Sequence, residues 1–134
     1  MANNTRALKL KANSEEYDSK LADIKRLAGF LERIMNEIYS EKKIGGVQGS
    51  FWTIDRDLFV GSSTALELKP FKLEFWRFTP GSNGTQLKRD SQLTLAIVRR
   101  VHDNLDEIIK YVEALCTSYA MCDELEAKKA RFGM

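Results

Sequence analysis

Residues 17–38 read YDSKLADIKRLAGFLERIMNEI, and apolar side chains recur there at alternating spacings of four and three. The positions that follow this rhythm are Tyr17, Leu21, Ile24, Ala28, Leu31, Met35 and Ile38. A strict alternation of this kind is a heptad seam, which places these side chains on one stripe of an α-helix. Because such a stripe is normally buried against a partner, the segment predicts a long helix that packs on another helix.

A second seam lies near the C-terminus. Its positions are Val98, Val101, Leu105, Ile108, Val112, Leu115, Tyr119 and Cys122. This seam predicts one long helix from Asp90 or Ser91 to Lys129, with Asp103 as an internal cap at which the helix could break. The N-terminal helix is expected from about Ser14 to Lys43, because Gly45–Gly46 favours a helix end.

The middle third has a different character, since β-branched and aromatic residues cluster there in short runs between Gly, Ser and Thr. The predicted strands are Phe51–Ile54, Asp57–Val60 and Phe71–Phe78, with a weaker one at Ala65–Leu68. Thr79–Thr85 is predicted as a turn, because it contains Pro80–Gly81 and Asn83–Gly84. The sequence therefore predicts an α+β fold with a long N-terminal helix, an antiparallel β-meander of three to four strands and a long C-terminal helix.

The chain has 134 residues, which predicts one α-β-α domain over 13–130, preceded by a basic polar arm at 1–12 and followed by a frayed tail at 131–134. The simplest packing places the two helices antiparallel along their seams. Each seam is longer than a small meander can cover, so we expect a homo-oligomer, most simply a two-fold dimer. The predicted interface residues are Leu21, Ile24, Leu31, Met35, Leu105, Ile108, Val112 and Leu115.

Composition limits the classes of function. The net charge is only +2, so any anion binding must depend on local clusters. No apolar run approaches the roughly 18 residues of a membrane helix, and the N-terminus lacks the apolar block of a secretory signal. Cys116 and Cys122 lie six residues apart on one predicted helix and cannot bridge, so we expect reduced thiols and a cytoplasmic protein without a membrane partner.

The strand Phe71–Phe78 carries the most informative chemistry. Alternation places Lys72, Glu74, Trp76 and Phe78 on the face opposite Phe71, Leu73 and Phe75, which puts two aromatics beside a cation. Aromatic side chains stack on bases and cations bind phosphates, so this pattern favours a single-stranded nucleic acid or a nucleotide. The candidate ligand-binding residues are Lys72, Trp76, Arg77, Phe78, Lys88, Arg89, Arg99 and Arg100.

Each part of this prediction has an ordinary structural alternative. Trp76 and Phe78 are residue types that more often pack under a helix or in an oligomer interface than stack on a ligand, and Arg99 and Arg100 could pair with nearby carboxylates such as Asp103 or Glu107. An enzyme is the least supported class, because His102 is the only histidine and no catalytic, metal or cofactor motif is present. Two hypotheses remain: a non-enzymatic oligomeric protein that binds an anionic base-containing ligand, and a helical scaffold or adaptor that acts through self-assembly or a partner helix.

Overall fold

The computed structural model describes residues 2–42, 51–62, 71–81, 84–89 and 93–131. Within these residues the fold is α+β, with four helices and a four-stranded antiparallel sheet. In chain order the elements are α1 (Ala2–Lys42), β1 (Phe51–Asp55), β2 (Leu58–Ser62), β3 (Leu73–Gly81), β4 (Gly84–Arg89), α2 (Leu95–His102), α3 (Leu105–Ser118) and α4 (Cys122–Arg131). In this part of the chain no helix combines the length and the apolar character needed to cross a membrane.

Helix α1 is longer than predicted. It begins at Ala2 rather than near Ser14, so the predicted polar arm is helical from Ala2 onward. The sequence from Ala7 to Ala12 contains only Ala, Leu and Lys, which are strong helix formers, and these outweigh the capping signal at Ser14. Residues 5–12 are all exposed, so about a fifth of the helix, eight of its 41 residues, extends beyond the body of the protein.

The sheet is a meander in the order β1-β2-β3-β4. Three strands lie where the sequence predicted them to within a few residues, while the predicted strand at Ala65–Leu68 lies outside the described residues. The predicted turn at Thr79–Thr85 is wrong at both of its ends, since β3 continues to Gly81 and β4 begins at Gly84. β4 escaped prediction because its sequence, GTQLKR, contains a single large apolar residue and gives little strand signal.

The prediction of a single C-terminal helix is wrong, because this region forms three helices, α2, α3 and α4. The first break is at Asp103, the predicted internal cap, whose backbone N–H still bonds to the carbonyl of Arg99 at 3.0 Å. The second is at Ala120, where φ is +56° and the next N–H, of Met121, bonds to the carbonyl of Cys116 at 2.7 Å. This turn places Met121 in the core with no exposed surface, which a straight helix would not achieve.

The helices are also oriented differently from the prediction. Arg99 pairs with Glu16, His102 with Asp23, and Cys116 with Met35, so α2 and α3 run parallel to α1 rather than antiparallel. The segment before α2 lies beside the first half of α1, where the Tyr17 hydroxyl donates to the carbonyl of Leu93 at 2.8 Å.

Helix α4 then turns back and runs antiparallel to α1. Lys42 bonds to Glu124 at 2.8 Å, and further along α4 the ammonium of Lys128 bonds to Glu37 at 3.1 Å and Glu41 at 2.8 Å. Lys128 is only 7% exposed, and these two carboxylates compensate for the burial of its charge. They also hold the pKa of Lys128 above its ordinary value.

Both seams are covered within a single chain except at Tyr119 and Cys122, the last two positions of the second seam, which are exposed. Ile24, Leu31, Met35, Ile108, Val112 and Leu115 are all buried in one hydrophobic core, and Leu21 and Leu105 pack against it partly buried. These eight residues, predicted to form an oligomer interface, therefore contact their own chain in this fold. The side chains that cover the seams come from all four helices and from the sheet. Self-association stays a prediction and would use other residues.

Candidate functional site

The sheet has one face covered by helices. Ile54, Leu58, Val60 and Phe75 point into the core from this inner face and are less than a tenth exposed. Two polar contacts attach the same face to α3: the Trp52 indole N–H donates to Glu107 Oε2 at 2.8 Å, and the hydroxyls of Ser62 and Tyr111 lie 3.0 Å apart. Because strand residues alternate, the intervening side chains lie on the opposite, outer face.

The outer face carries four aromatic side chains, which we call the outer aromatic cluster: Phe51, Phe59, Trp76 and Phe78. Phe51 contacts Trp76 with ring centroids 5.2 Å apart at 73°, and Phe59 contacts Phe78 at 5.2 Å and 88°. Both are edge-to-face contacts, the geometry that the charge distribution of aromatic rings favours. Phe59 and Trp76 are partly buried, whereas Phe51 is 51% exposed and Phe78 is 47% exposed.

Gly61 makes the contact between Phe51 and Trp76 possible. Phe51 lies on β1 and Trp76 on β3, so the two rings meet across the intervening strand β2. Gly61 of β2 pairs with Phe51 on one side and with Glu74 on the other, and it has no side chain to separate the rings. Gly61 is itself buried, as expected for a backbone covered by aromatic rings.

The structure brings part of the predicted site together. Trp76 and Phe78 lie in the outer aromatic cluster, and Lys72 is exposed on the same side of the chain by alternation. Arg77 alternates to the inner face, where it pairs in register with the buried Leu58. Of the predicted set, Arg77 is thus separated from the aromatics that flank it in the sequence.

The β4 backbone adjoins the cluster. Its register pairs Lys88 with Arg77 and Arg89 with Trp76, while the positions of the two β4 side chains lie outside the described part of the structure. The register therefore places the backbone of one predicted cation, Arg89, next to the largest ring of the cluster.

The structure places Arg99 and Arg100, two of the predicted ligand-binding residues, in ion pairs with carboxylates and not with the outer aromatic cluster. Arg99 binds Glu16 of α1 through two hydrogen bonds, Nε to Oε2 at 2.9 Å and Nη2 to Oε1 at 2.6 Å. The hydrogen bonds from Arg99, and then from Lys20, lower the pKa of Glu16 to about 2. Arg99 therefore fastens α2 to α1 in the helical layer.

Arg100 has an equivalent role at one end of the sheet. Its Nε donates to Asp55 Oδ2 at 2.8 Å, and its Nη2 donates to Asp57 Oδ1 at 2.6 Å and to the Asp55 carbonyl at 2.7 Å. These bonds lower the pKa of both carboxyl groups. The alternative that both arginines pair with carboxylates was right in kind, but the partners come from distant segments rather than from Asp103 or Glu107.

Sequence reasoning missed two members of the cluster, Phe51 and Phe59. Each stands beside an inward-facing residue, Trp52 and Leu58 respectively, so alternation alone places each ring on one of two faces. Only the pairing of Phe59 with Trp76 in the register shows that these rings share the outer face. The two aromatic residues are evident in the sequence, but assigning them to the outer face requires the order and register of the strands.

A shallow cleft lies next to the cluster, between β1 and α3. It is lined by Phe51, Trp52, Tyr111, Ala114, Leu115 and Ser118 and has a volume of about 120 Å³. Pockets for small ligands usually measure roughly 300–1,000 Å³, so this cleft is too small to hold a nucleotide. The exposed surface of the outer aromatic cluster is the better candidate site.

Two potentially reactive side chains, His102 and Cys116, have structural partners. His102 Nε2 lies 2.8 Å from Asp23 Oδ2 at the contact between α2 and α1. The Cys116 thiol is buried and donates to Met35 Sδ at 3.6 Å. Burial raises its pKa to about 12, so very little reactive thiolate is present at neutral pH.

Comparison with known proteins found no match to this chain among family models, curated proteins or solved structures. Its function is therefore inferred from the geometry of the outer aromatic cluster.

Proposed function

We propose that the protein is a non-enzymatic binding protein for single-stranded nucleic acid, whose bases stack on the outer aromatic cluster. The observation that carries this proposal is the presence of four aromatic rings on the sheet face opposite the helices, two of them about half exposed. Each stacked base typically contributes about 1–3 kcal/mol of binding free energy, and stacking is tolerant of sequence. Such a surface requires no deep pocket.

Among the side chains that the structure describes, the charges near the cluster favour stacking over phosphate binding as the main source of affinity. Lys72 is exposed on this side, but Glu74 lies on the same face, and Arg99 and Arg100 are paired with carboxylates elsewhere. The salt dependence of binding increases with the number of phosphates that cations neutralise. We therefore expect weaker salt dependence than for a typical basic nucleic-acid-binding protein.

The test is the affinity of the protein for a fluorescently labelled oligothymidylate, measured by anisotropy. Phe51→Ala and Phe78→Ala should each weaken binding by about 5- to 150-fold, which corresponds to the loss of one stacked base. Phe30→Ala is the matched control, since Phe30 is also a partly exposed phenylalanine (37%) but lies on α1. Equal affinities for all three variants and the original protein would contradict the proposal.

Self-association through the same face is a second candidate function. The observation that favours it is the apolar character of the cluster combined with the carboxylate of Glu74, which opposes an anionic ligand. This candidate corresponds to the predicted homo-oligomer and to the scaffold hypothesis, with the outer face replacing the helical seams as the interface. The protein would then bury Phe51 and Phe78 against a second copy.

Sedimentation equilibrium separates the two candidates. If the outer face is a dimer interface, Phe78→Glu converts the dimer to a monomer, and the original protein does not bind the oligonucleotide without dissociating. If the face binds nucleic acid, the mass of the protein is unchanged by Phe78→Glu and only the affinity falls. Glu74→Gln is a second test of nucleic-acid binding. It removes a negative charge that repels phosphates, so it should increase oligonucleotide affinity at low salt.

A further inference from the structure

The four rings form a continuous stripe across the sheet. Phe51 contacts Trp76, Trp76 pairs in register with Phe59, and Phe59 contacts Phe78. Phe51 is level with Glu74 in the register, and Phe78 lies four residues further along β3. With a rise of about 3.3 Å per residue and strands about 4.8 Å apart, the two ends of the stripe are separated by roughly 16 Å.

The two ends differ from the middle. Trp76 and Phe59 are partly buried because neighbouring rings contact them edge to face. Phe51 and Phe78 keep about half of their surface exposed. The stripe therefore offers two separate stacking surfaces, one at each end, supported by the two central rings.

We infer that the ligand is a single strand of about three to six nucleotides or longer, which lies along the stripe and stacks one base on Phe51 and another on Phe78. This inference rests on the proposed function. A stacked strand rises about 3.4 Å per nucleotide, so the roughly 16 Å between the two ends corresponds to about five steps, or about six nucleotides, in that form and to fewer when the strand is extended. A mononucleotide or dinucleotide reaches only one end.

The same geometry excludes duplexes from the stripe. In a duplex the faces of the bases are stacked on each other and are inaccessible to protein side chains, except at the ends. An unpaired strand exposes every base, and aromatic stacking is the usual means by which proteins recognise such strands. The ligand class is therefore single-stranded nucleic acid of a minimum length.

The experiment measures competition by unlabelled oligothymidylates of one, two, four, six and eight nucleotides, and by an eight-base-pair duplex, against a labelled ten-nucleotide strand. We expect a step in affinity of about 5-fold or more between two and six nucleotides, where the strand first engages both ends. We expect the duplex to compete at least tenfold more weakly than the eight-nucleotide strand.

Variants that remove one ring at a time test whether the step in affinity comes from stacking at both ends of the stripe. Phe51→Leu and Phe78→Leu retain apolar volume, so they preserve the fold while removing the ring, and circular dichroism checks this. Each should abolish the step by lowering the affinity of the eight-nucleotide strand at least about 5-fold, while the dinucleotide changes by no more than about twofold because the other end remains. Phe30→Leu on α1 should leave the step intact.

The outcomes distinguish the two levels of the proposal. Binding without a length step, a step that persists in both variants, or equal competition by the duplex would overturn the path along the stripe while leaving a nucleic-acid-binding function. Failure of every oligonucleotide to bind would overturn both.

Discussion

The two faces of the sheet both carry aromatic side chains, but the surroundings of those side chains differ. On the helix-covered side, Trp52 donates to Glu107, and Phe71 packs edge to face against Tyr39 of α1 with ring centroids 5.9 Å apart. On the outer face, Phe51 contacts Trp76 and Phe78 contacts Phe59, so each ring packs against another ring of the same face. Aromatics of the first kind hold two layers together, whereas those of the second kind form a surface that can receive a ligand.

The largest expected effect comes from truncating an inner ring. Phe75→Ala removes a ring that is 9% exposed, and such changes cost about 3–5 kcal/mol of unfolding free energy. Phe78→Ala removes a ring that is 47% exposed and should cost about 1 kcal/mol or less while weakening oligonucleotide binding. Urea denaturation measures both free energies. Similar losses of unfolding free energy for the two variants would contradict the claim that only the inner rings contribute strongly to stability.

A smaller effect is expected at Gly61, where the two rings meet over β2. Gly61→Val places a branched side chain between Phe51 and Trp76, and overpacking of this kind costs about 1–3 kcal/mol. The rings should separate, and oligonucleotide affinity should fall although no aromatic has been removed. Gly61→Ala is the matched control and should have an intermediate effect on both quantities. Thermal denaturation and anisotropy give the two measurements, and unchanged affinity in Gly61→Val would refute the role assigned to the ring contact.

The ion pairs of Arg99 and Arg100 predict a pH dependence of stability. The pKa values of Glu16, Asp55 and Asp57 are lowered in the folded state, that of Glu16 to about 2. Their contribution is therefore fully present above the pKa values of the unfolded chain, near 4, and is lost as the pH falls towards 2.

The urea midpoint should accordingly fall between pH 5 and pH 2. Arg99→Met removes the partner that lowers the pKa of Glu16 and should reduce this fall, while oligonucleotide binding at neutral pH stays unchanged. A variant as sensitive to acid as the original protein would show that the Glu16 pair does not contribute.

The smallest effect is expected at the start of α1. Arg6, Lys9 and Lys11 are exposed on the part of the helix that extends beyond the body. Replacing all three by Gln should leave the thermal midpoint nearly unchanged, because no packing is lost. If long strands reach this segment, their affinity should fall at low salt only, in contrast to the salt-insensitive losses at Phe51 and Phe78. Affinity measured at two salt concentrations checks this prediction.

Local patterns in the sequence were sufficient for the elements that carry strong periodicity. The seam from Tyr17 to Ile38 and the alternation in β1 to β3 predicted the helix, the strands and the α+β class. Asp103 was also recognised as a place where the second helix could break. These features depend on neighbours within a few residues, which sequence periodicity reports directly.

The remaining features depend on contacts between distant segments. The partner of Arg99 is Glu16, which lies 83 residues away, and Tyr17 bonds to Leu93, which lies 76 residues away. The seams predicted oligomer contacts because periodicity shows that a stripe is buried but not which chain covers it. Likewise, alternation placed Trp76 and Phe78 together, but the addition of Phe51 and Phe59 required the strand register.

The most direct test uses the two tryptophans, which lie on opposite faces of the sheet and are the only two in the chain. In the Trp52→Phe variant, Trp76 is the sole tryptophan, and in the Trp76→Phe variant it is Trp52. Titration with an eight-nucleotide oligothymidylate should change the fluorescence of the first variant in a saturable way, because bases stack next to Trp76, and should leave the second nearly unchanged. An unchanged signal from Trp76 while anisotropy reports binding, or an equal response from Trp52, would contradict the assignment of the outer face as the binding surface.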